Sequence, residues 1–121
     1  MNEPAAWPTE LKLNPAKDTL TISFDSGESF LLAAEYLRVE SPSAEVQGHG
    51  PLERQTVPGK RRVTIARLEP VGHYAVRIVF DDGHDTGLFT WVYLRELGEK
   101  HEEKWPAYLE ALAANLTLQF I

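Results

Sequence analysis

Residues 73–90 leave little freedom of topology. Tyr74, Val76, Ile78 and Phe80 occupy alternate positions, Asp81-Asp82-Gly83-His84 follows, and Thr86 to Thr90 resumes an extended run. Alternation puts every second side chain on one face of a strand. Asp-Gly is a favoured hairpin centre because both residues accept positive φ. Strands joined by so short a turn must run antiparallel, since a parallel pair needs a long crossover. Val63 to Leu68 alternates too, with Val, Ile and Leu inward, and Glu69-Pro70-Val71-Gly72 turns the chain toward His73. A three-stranded antiparallel meander is expected.

The first half repeats the theme. Thr19 to Phe24 places Leu20, Ile22 and Phe24 on one face and hydroxyls on the other. Asp25-Ser26-Gly27-Glu28 turns it into Ser29 to Leu32, a second hairpin. Before it lies a leader punctuated by Pro4, Pro8 and Pro15, in which Leu11 and Leu13 form a short edge strand. Leu32, Tyr36 and Val39 have helical spacing, so Leu31 to Val39 reads as a two-turn helix, stopped by Ser41-Pro42. Glu40 to Arg62 reads as a long loop rich in Gly and Pro, and long ordered loops are often functional. Trp91, Leu94 and Leu97 give a short helix ended by Gly98. Trp105, Tyr108, Leu109, Leu112 and Leu116 stripe a last helix over about 102–116, with Pro106 in its first turn. Leu118, Phe120 and Ile121 read as an added edge strand. The fold class is α+β: one small domain over 1–121, an antiparallel sheet with short helices and a C-terminal helix.

Composition narrows the function. The chain has 121 residues and 43% hydrophobic content, ordinary for one globular domain. It contains no cysteine, which excludes disulfides, thiolate metal sites and a cysteine nucleophile. The 12 basic residues against 18 acidic ones give a net charge of −6, the wrong balance for nucleic acid. No basic-then-apolar leader or membrane-length apolar run is present, so a cytoplasmic protein with no membrane partner is expected. Phosphate-loop, dinucleotide, Gly-x-Ser-x-Gly and His-Glu-x-x-His motifs are all missing.

Four features could carry chemistry. The loop Leu37-Arg38-Val39-Glu40-Ser41-Pro42-Ser43-Ala44-Glu45-Val46-Gln47-Gly48-His49-Gly50 reads either as a recognition surface or as a polar crossover. In the turn Asp81-Asp82-Gly83-His84-Asp85, His84 lies among carboxylates and reads as a surface group, a metal ligand or a proton carrier. Arg54, Lys60, Arg61, Arg62 and Arg67 read more readily as a solvated face than as a dock for an acidic partner or phosphate. His101-Glu102-Glu103 has iron-triad character but no second histidine at a suitable place.

The stretch 37–50, taken with Val-Gly-His-Tyr-Ala-Val-Arg-Ile-Val-Phe-Asp-Asp-Gly-His-Asp-Thr-Gly-Leu-Phe-Thr-Trp at 71–91, resembles the γ-butyrobetaine hydroxylase-like N-terminal domain family. This is a bacterial domain of unknown function, and the likeness spans about residues 8–97. The resemblance implies an α+β fold on antiparallel strands. In the hydroxylases the related domain binds one zinc ion through three cysteines and a histidine, apart from the catalytic iron. Laid on this chain, those positions fall on Ser41, Ser43, Val46 and His84, so one ligand of four remains and the family's zinc site is expected to be lost. The oxygenase catalytic domain has no room here. The related domain also occurs attached to ATPases carrying iron–sulfur clusters, which implies an accessory role in metallocluster or metal handling.

The leading expectation is a non-catalytic module that presents the 40–50 loop and the 81–87 hairpin to a protein partner. Its candidate contact residues are Arg38, Ser41, Ser43, Glu45, His49 and Asp82. The alternative is a metal-binding domain that holds a weakly bound divalent ion on His84, with His49 or nearby carboxylates. A third reading, an enzyme using a His–Asp pair at 81–85, lacks a substrate pocket in the sequence.

Overall fold

The structure, a computed structural model, describes residues 5–42, 59–84 and 87–119. Among these residues two three-stranded antiparallel sheets share one core. The first has the order β1 (Pro8–Leu13), β2 (Thr19–Phe24), β3 (Ser29–Ala33), and the second β4 (Ile65–Val71), β5 (Ala75–Phe80), β6 (Leu88–Thr90). Among the described residues three helices accompany them: α1 (Ala34–Val39), α2 (Trp91–Glu99) and α3 (His101–Gln119).

Local chemistry sets the turns. Gly27 at φ 94° closes the β2–β3 hairpin, and Gly83 at φ 88° closes β5–β6, a region costly for residues with a Cβ. Lys17 adopts φ 59° without being glycine. The Asn14 side chain holds that turn, accepting from the backbone N–H groups of Asp18 and Thr19 at 3.0 and 3.1 Å.

The alternation in β2 is realised in burial: Leu20, Ile22 and Phe24 are buried, while Thr19, Thr21 and Ser23 are half-buried. Leu32, Tyr36, Leu37, Ile65, Val76, Ile78, Phe80, Phe89, Leu94 and Leu97 complete the same cluster. The expected meander is present, and β5 pairs with β4 on one side and β6 on the other.

Several expected boundaries move, each for a tertiary reason. Residues 31–33 continue β3 by pairing with Thr19 to Thr21, so α1 starts only at Ala34. β4 runs through Pro70 to Val71 and the turn falls on Gly72 at φ 57°. Proline is tolerated there because β4 is an edge strand. His73 and Tyr74 precede β5, and Tyr74 stays 40% exposed instead of joining the inner face.

Gly98 lies inside α2 and does not end it. A Cβ there would sit 2.4 Å from Cγ of Phe30, so its bareness lets α2 approach β3. α3 begins at His101, one residue before the expected start, and Pro106 lies within the helix, beyond its first turn. Of the apolar stripe, Trp105 and Tyr108 face the body while Leu109 is 45% exposed. Leu118 belongs to α3, not to an edge strand; Phe120 and Ile121 lie outside the described residues. No helix among the described residues is long and apolar enough to cross a membrane.

Candidate functional site

The end of α1 and the β5–β6 turn, some forty positions apart, meet. Arg38 and Ser41 are buried at 2% and 0% exposure, although one is charged and the other polar. Burying such groups is costly unless they are hydrogen-bonded. Nε of Arg38 donates to Oδ2 of Asp82 at 2.8 Å. Nζ of Lys60 reaches the same oxygen at 2.7 Å. The other carboxylate oxygen, Oδ1, accepts the backbone N–H of His84 at 3.0 Å. Oγ of Ser41 and Nε2 of His84 share a hydrogen bond of 2.9 Å. One carboxylate thus ties together α1, the segment entering β4 and its own turn.

Asp82 responds to opposing influences. Burial pushes its carboxyl up, but hydrogen bonds from Lys60, the His84 backbone and Arg38, with the Arg38 charge, outweigh it and hold the pKa at about 2. The carboxylate is therefore ionised at neutral pH. Gly87 packs beneath the junction: a Cβ there would lie 2.7 Å from Oγ of Ser41 and 3.7 Å from Nε2 of His84. Phe80 tilts against the His84 ring from the adjoining strand, with centroids 6.0 Å apart.

A second layer fixes the residue next to Ser41. The hydroxyl of Tyr93 donates to the Glu40 carbonyl at 2.5 Å, and Nζ of Lys104 lies 3.9 Å from Oε1 of Glu40. α3 is further tied to α1 by Tyr108, whose hydroxyl donates to Oε2 of Glu35 at 2.8 Å. Burial, together with the Glu35 hydrogen bond and charge, lifts the Tyr108 phenol well above its ordinary range.

Of the residues singled out in the sequence, Arg38, Ser41, Asp82 and His84 come together. Ser43, Glu45 and His49, with Val46 and Asp85, lie outside the described residues. Lys60, whose sequence neighbourhood reads as a solvated basic face, is an anchor of the junction; only Asp82, distant in sequence, reveals that role. Glu40 belongs to the 37–50 stretch, whereas Tyr93 and Lys104 carry no local signal. The His101 ring lies edge-on to Tyr36 and parallel to Trp105, a packing role between α1 and α3.

The residues present do not fit the zinc ion of the hydroxylase domain. Ser41 and His84 do meet, but as a hydroxyl and an imidazole bonded to each other, and Val46 has no donor atom. Among the described residues no group of three His, Cys, Asp or Glu side chains is placed to hold a metal ion. Both oxygens of Asp82 are engaged by the protein, and Oδ1 of Asp81 accepts the Thr64 N–H at 3.0 Å.

A family model described as gamma-butyrobetaine hydroxylase-like, N-terminal, matches residues 11–95. No curated protein matches the chain. Among solved structures, one NMR solution structure is 46% identical with a TM-score of 0.78, over 95% of this chain and 87% of the other. A second NMR solution structure is 47% identical with a TM-score of 0.76, over 91% and 86%. A crystal structure of a DUF971-family protein of unknown function from Acidithiobacillus ferrooxidans is 38% identical with a TM-score of 0.66, over 80% of this chain and 98% of its own. With more than half its length matched, and with relatives this similar over most of their chains, the protein belongs to the γ-butyrobetaine hydroxylase-like N-terminal domain family.

Proposed function

We propose that the chain is a non-catalytic binding module that presents the 40–50 loop and the 81–87 hairpin to a protein partner. The observation that carries this reading is the Arg38–Asp82–Lys60 cluster beside the Ser41–His84 hydrogen bond. It fixes residues 40–42 against the 81–84 turn, so that these two segments meet a partner already positioned relative to each other. Preorganisation of this kind raises affinity by reducing the entropy lost on binding.

The polar constellation argues against chemistry. Ser41 and His84 resemble a nucleophile and its base, but the hydroxyl is at 0% exposure and Asp82 receives the His84 backbone, not its ring. A working pair needs a reacting atom within about 3 Å of the nucleophile.

The test is capture from cell lysate with the purified full-length chain, compared with Arg38→Ala, Glu45→Ala and His84→Ala variants. A specific protein retained by the parent and lost from the variants supports the reading. Retention of nothing, or equal retention by all four, overturns it.

A further inference from the structure

Among the described arginines, all but two sit against a carboxylate. Arg38 is on Asp82, Arg67 and Arg77 are on Glu69, and Arg95 is on Glu28. Arg61 and Arg62 have no ion pair among the described residues, and both are exposed. They occupy the two central positions of a turn closed by the Val63 N–H donating to the Lys60 carbonyl at 3.1 Å.

That turn is pinned on both sides. Lys60 is held by Asp82 at 2.7 Å, so the entry to the turn is part of the junction. On the exit side the Thr64 N–H donates to Oδ1 of Asp81 at 3.0 Å, the Asp81 N–H to the Thr64 carbonyl at 2.9 Å, and the Ile65 N–H to the Lys17 carbonyl at 2.8 Å. Two adjacent guanidinium groups are thus presented from a fixed backbone, beside the β5–β6 turn, on a chain whose net charge is −6.

Both guanidinium groups are open to solvent, and no carboxylate among the described residues pairs with either. A guanidinium presents a planar fork of donors that matches a carboxylate in bidentate fashion. We propose that Arg61 and Arg62 are the charge-reading part of the partner surface and that they recognise an acidic protein segment, one with carboxylates on neighbouring residues. The inference rests on the binding-module reading and adds to it the chemistry of the partner. A peptide segment fits better than nucleic acid. A short acidic stretch feels mainly the potential within a Debye length of about 8 Å, whereas a long polyanion also meets the chain's overall negative charge.

The experiment is an NMR titration of the full-length, ¹⁵N-labelled protein with an oligoglutamate peptide of about ten residues, begun at about 25 mM salt. The expected result is that the largest shifts fall on Arg61, Arg62 and Val63. Affinity should drop about tenfold or more by physiological salt, and by as much in an Arg61→Ala/Arg62→Ala variant whose spectrum is otherwise that of the parent. Single-stranded DNA of matched charge should bind more weakly. Absence of shifts at 61–63, undiminished binding by the double variant, or tighter binding of the DNA overturns the inference. So does full capture of the lysate partner by the double variant, which leaves the binding-module reading intact. Failure of the parent to capture any partner contradicts that reading while the peptide titration still decides the chemistry of the turn.

Discussion

Nε of Arg38 lies 2.8 Å from Oδ2 of Asp82 across 44 positions of chain. The pair is asymmetric: the arginine side chain is 3% exposed and the aspartate 18%. Arg38 thus depends on Asp82 more than the reverse, because an arginine cannot shed its charge when buried. Asp82→Ala should cost about 3 kcal/mol or more, or roughly 10 °C in thermal midpoint, by leaving Arg38 and Lys60 without their shared carboxylate. Thermal denaturation at neutral pH measures it, and a loss of only a few tenths would show the pair to be ornamental.

Acid should reveal the same carboxylate. Its folded pKa of about 2 lies below the unfolded 3.8, so between these values the unfolded state binds more protons. The Asp82 contribution is fully present above about pH 4 and is lost as pH falls through about 2. Denaturant unfolding between pH 2 and pH 5 should show this slope in the parent. In Asp82→Asn it should be shallower; an identical pH profile would remove Asp82 from the account.

Gly98→Ala should destabilise. Propensity alone predicts a gain of about 0.5–1 kcal/mol for replacing a helical glycine. The new Cβ would instead lie 2.4 Å from the Phe30 ring, and overpacking of this kind costs about 1–3 kcal/mol. Combining it with Phe30→Ala should cost less than the sum of the two single changes, measured by urea unfolding. Strict additivity would place the strain elsewhere.

Gly87→Ala should separate the two stretches. Its Cβ would stand 2.7 Å from Oγ of Ser41 and 2.9 Å from Cε1 of Phe89. Ser41→Ala removes one hydrogen bond to His84, an effect of about 1 kcal/mol, whereas Gly87→Ala also displaces the packing and should cost more. The ¹⁵N shifts of the His84 ring should move in both. Unchanged ring shifts in Gly87→Ala would mean that the hydrogen bond survives.

Tyr108 should resist alkali. Its folded pKa is raised above the unfolded 10.0, so its contribution is fully present below pH 10 and is lost as pH rises beyond that. Stability above pH 10 should decline more steeply in the parent than in Tyr108→Phe, which at neutral pH should lose about 1–2 kcal/mol. Parallel declines would show that the phenol is free to ionise in the folded chain.

What the sequence made legible was local. Both hairpins follow from alternation and from glycines whose positive φ the turns require, and β2 runs over the residues its pattern named. The meeting of 38–41 with 82–84 was anticipated from the family likeness and from two unusual loops. The roles of Gly98, Pro106 and Lys60 were not legible, because each is set by a residue or element remote in sequence. Gly98 reads as a helix stop until Phe30 is placed beneath it. Lys60 reads as solvated until Asp82 arrives. Pro106 reads as a first-turn residue until the charged run from His101 proves helical.

Photocrosslinking from the loop base tests the proposed function most directly. A benzoylphenylalanine placed at Pro42, which is exposed next to Ser41, should yield an adduct with a single protein in cells. The same group at Leu31, 71% exposed on β3, should yield none. An adduct from Leu31 alone, or from neither position, would contradict a partner surface built on the Arg38–Asp82 junction.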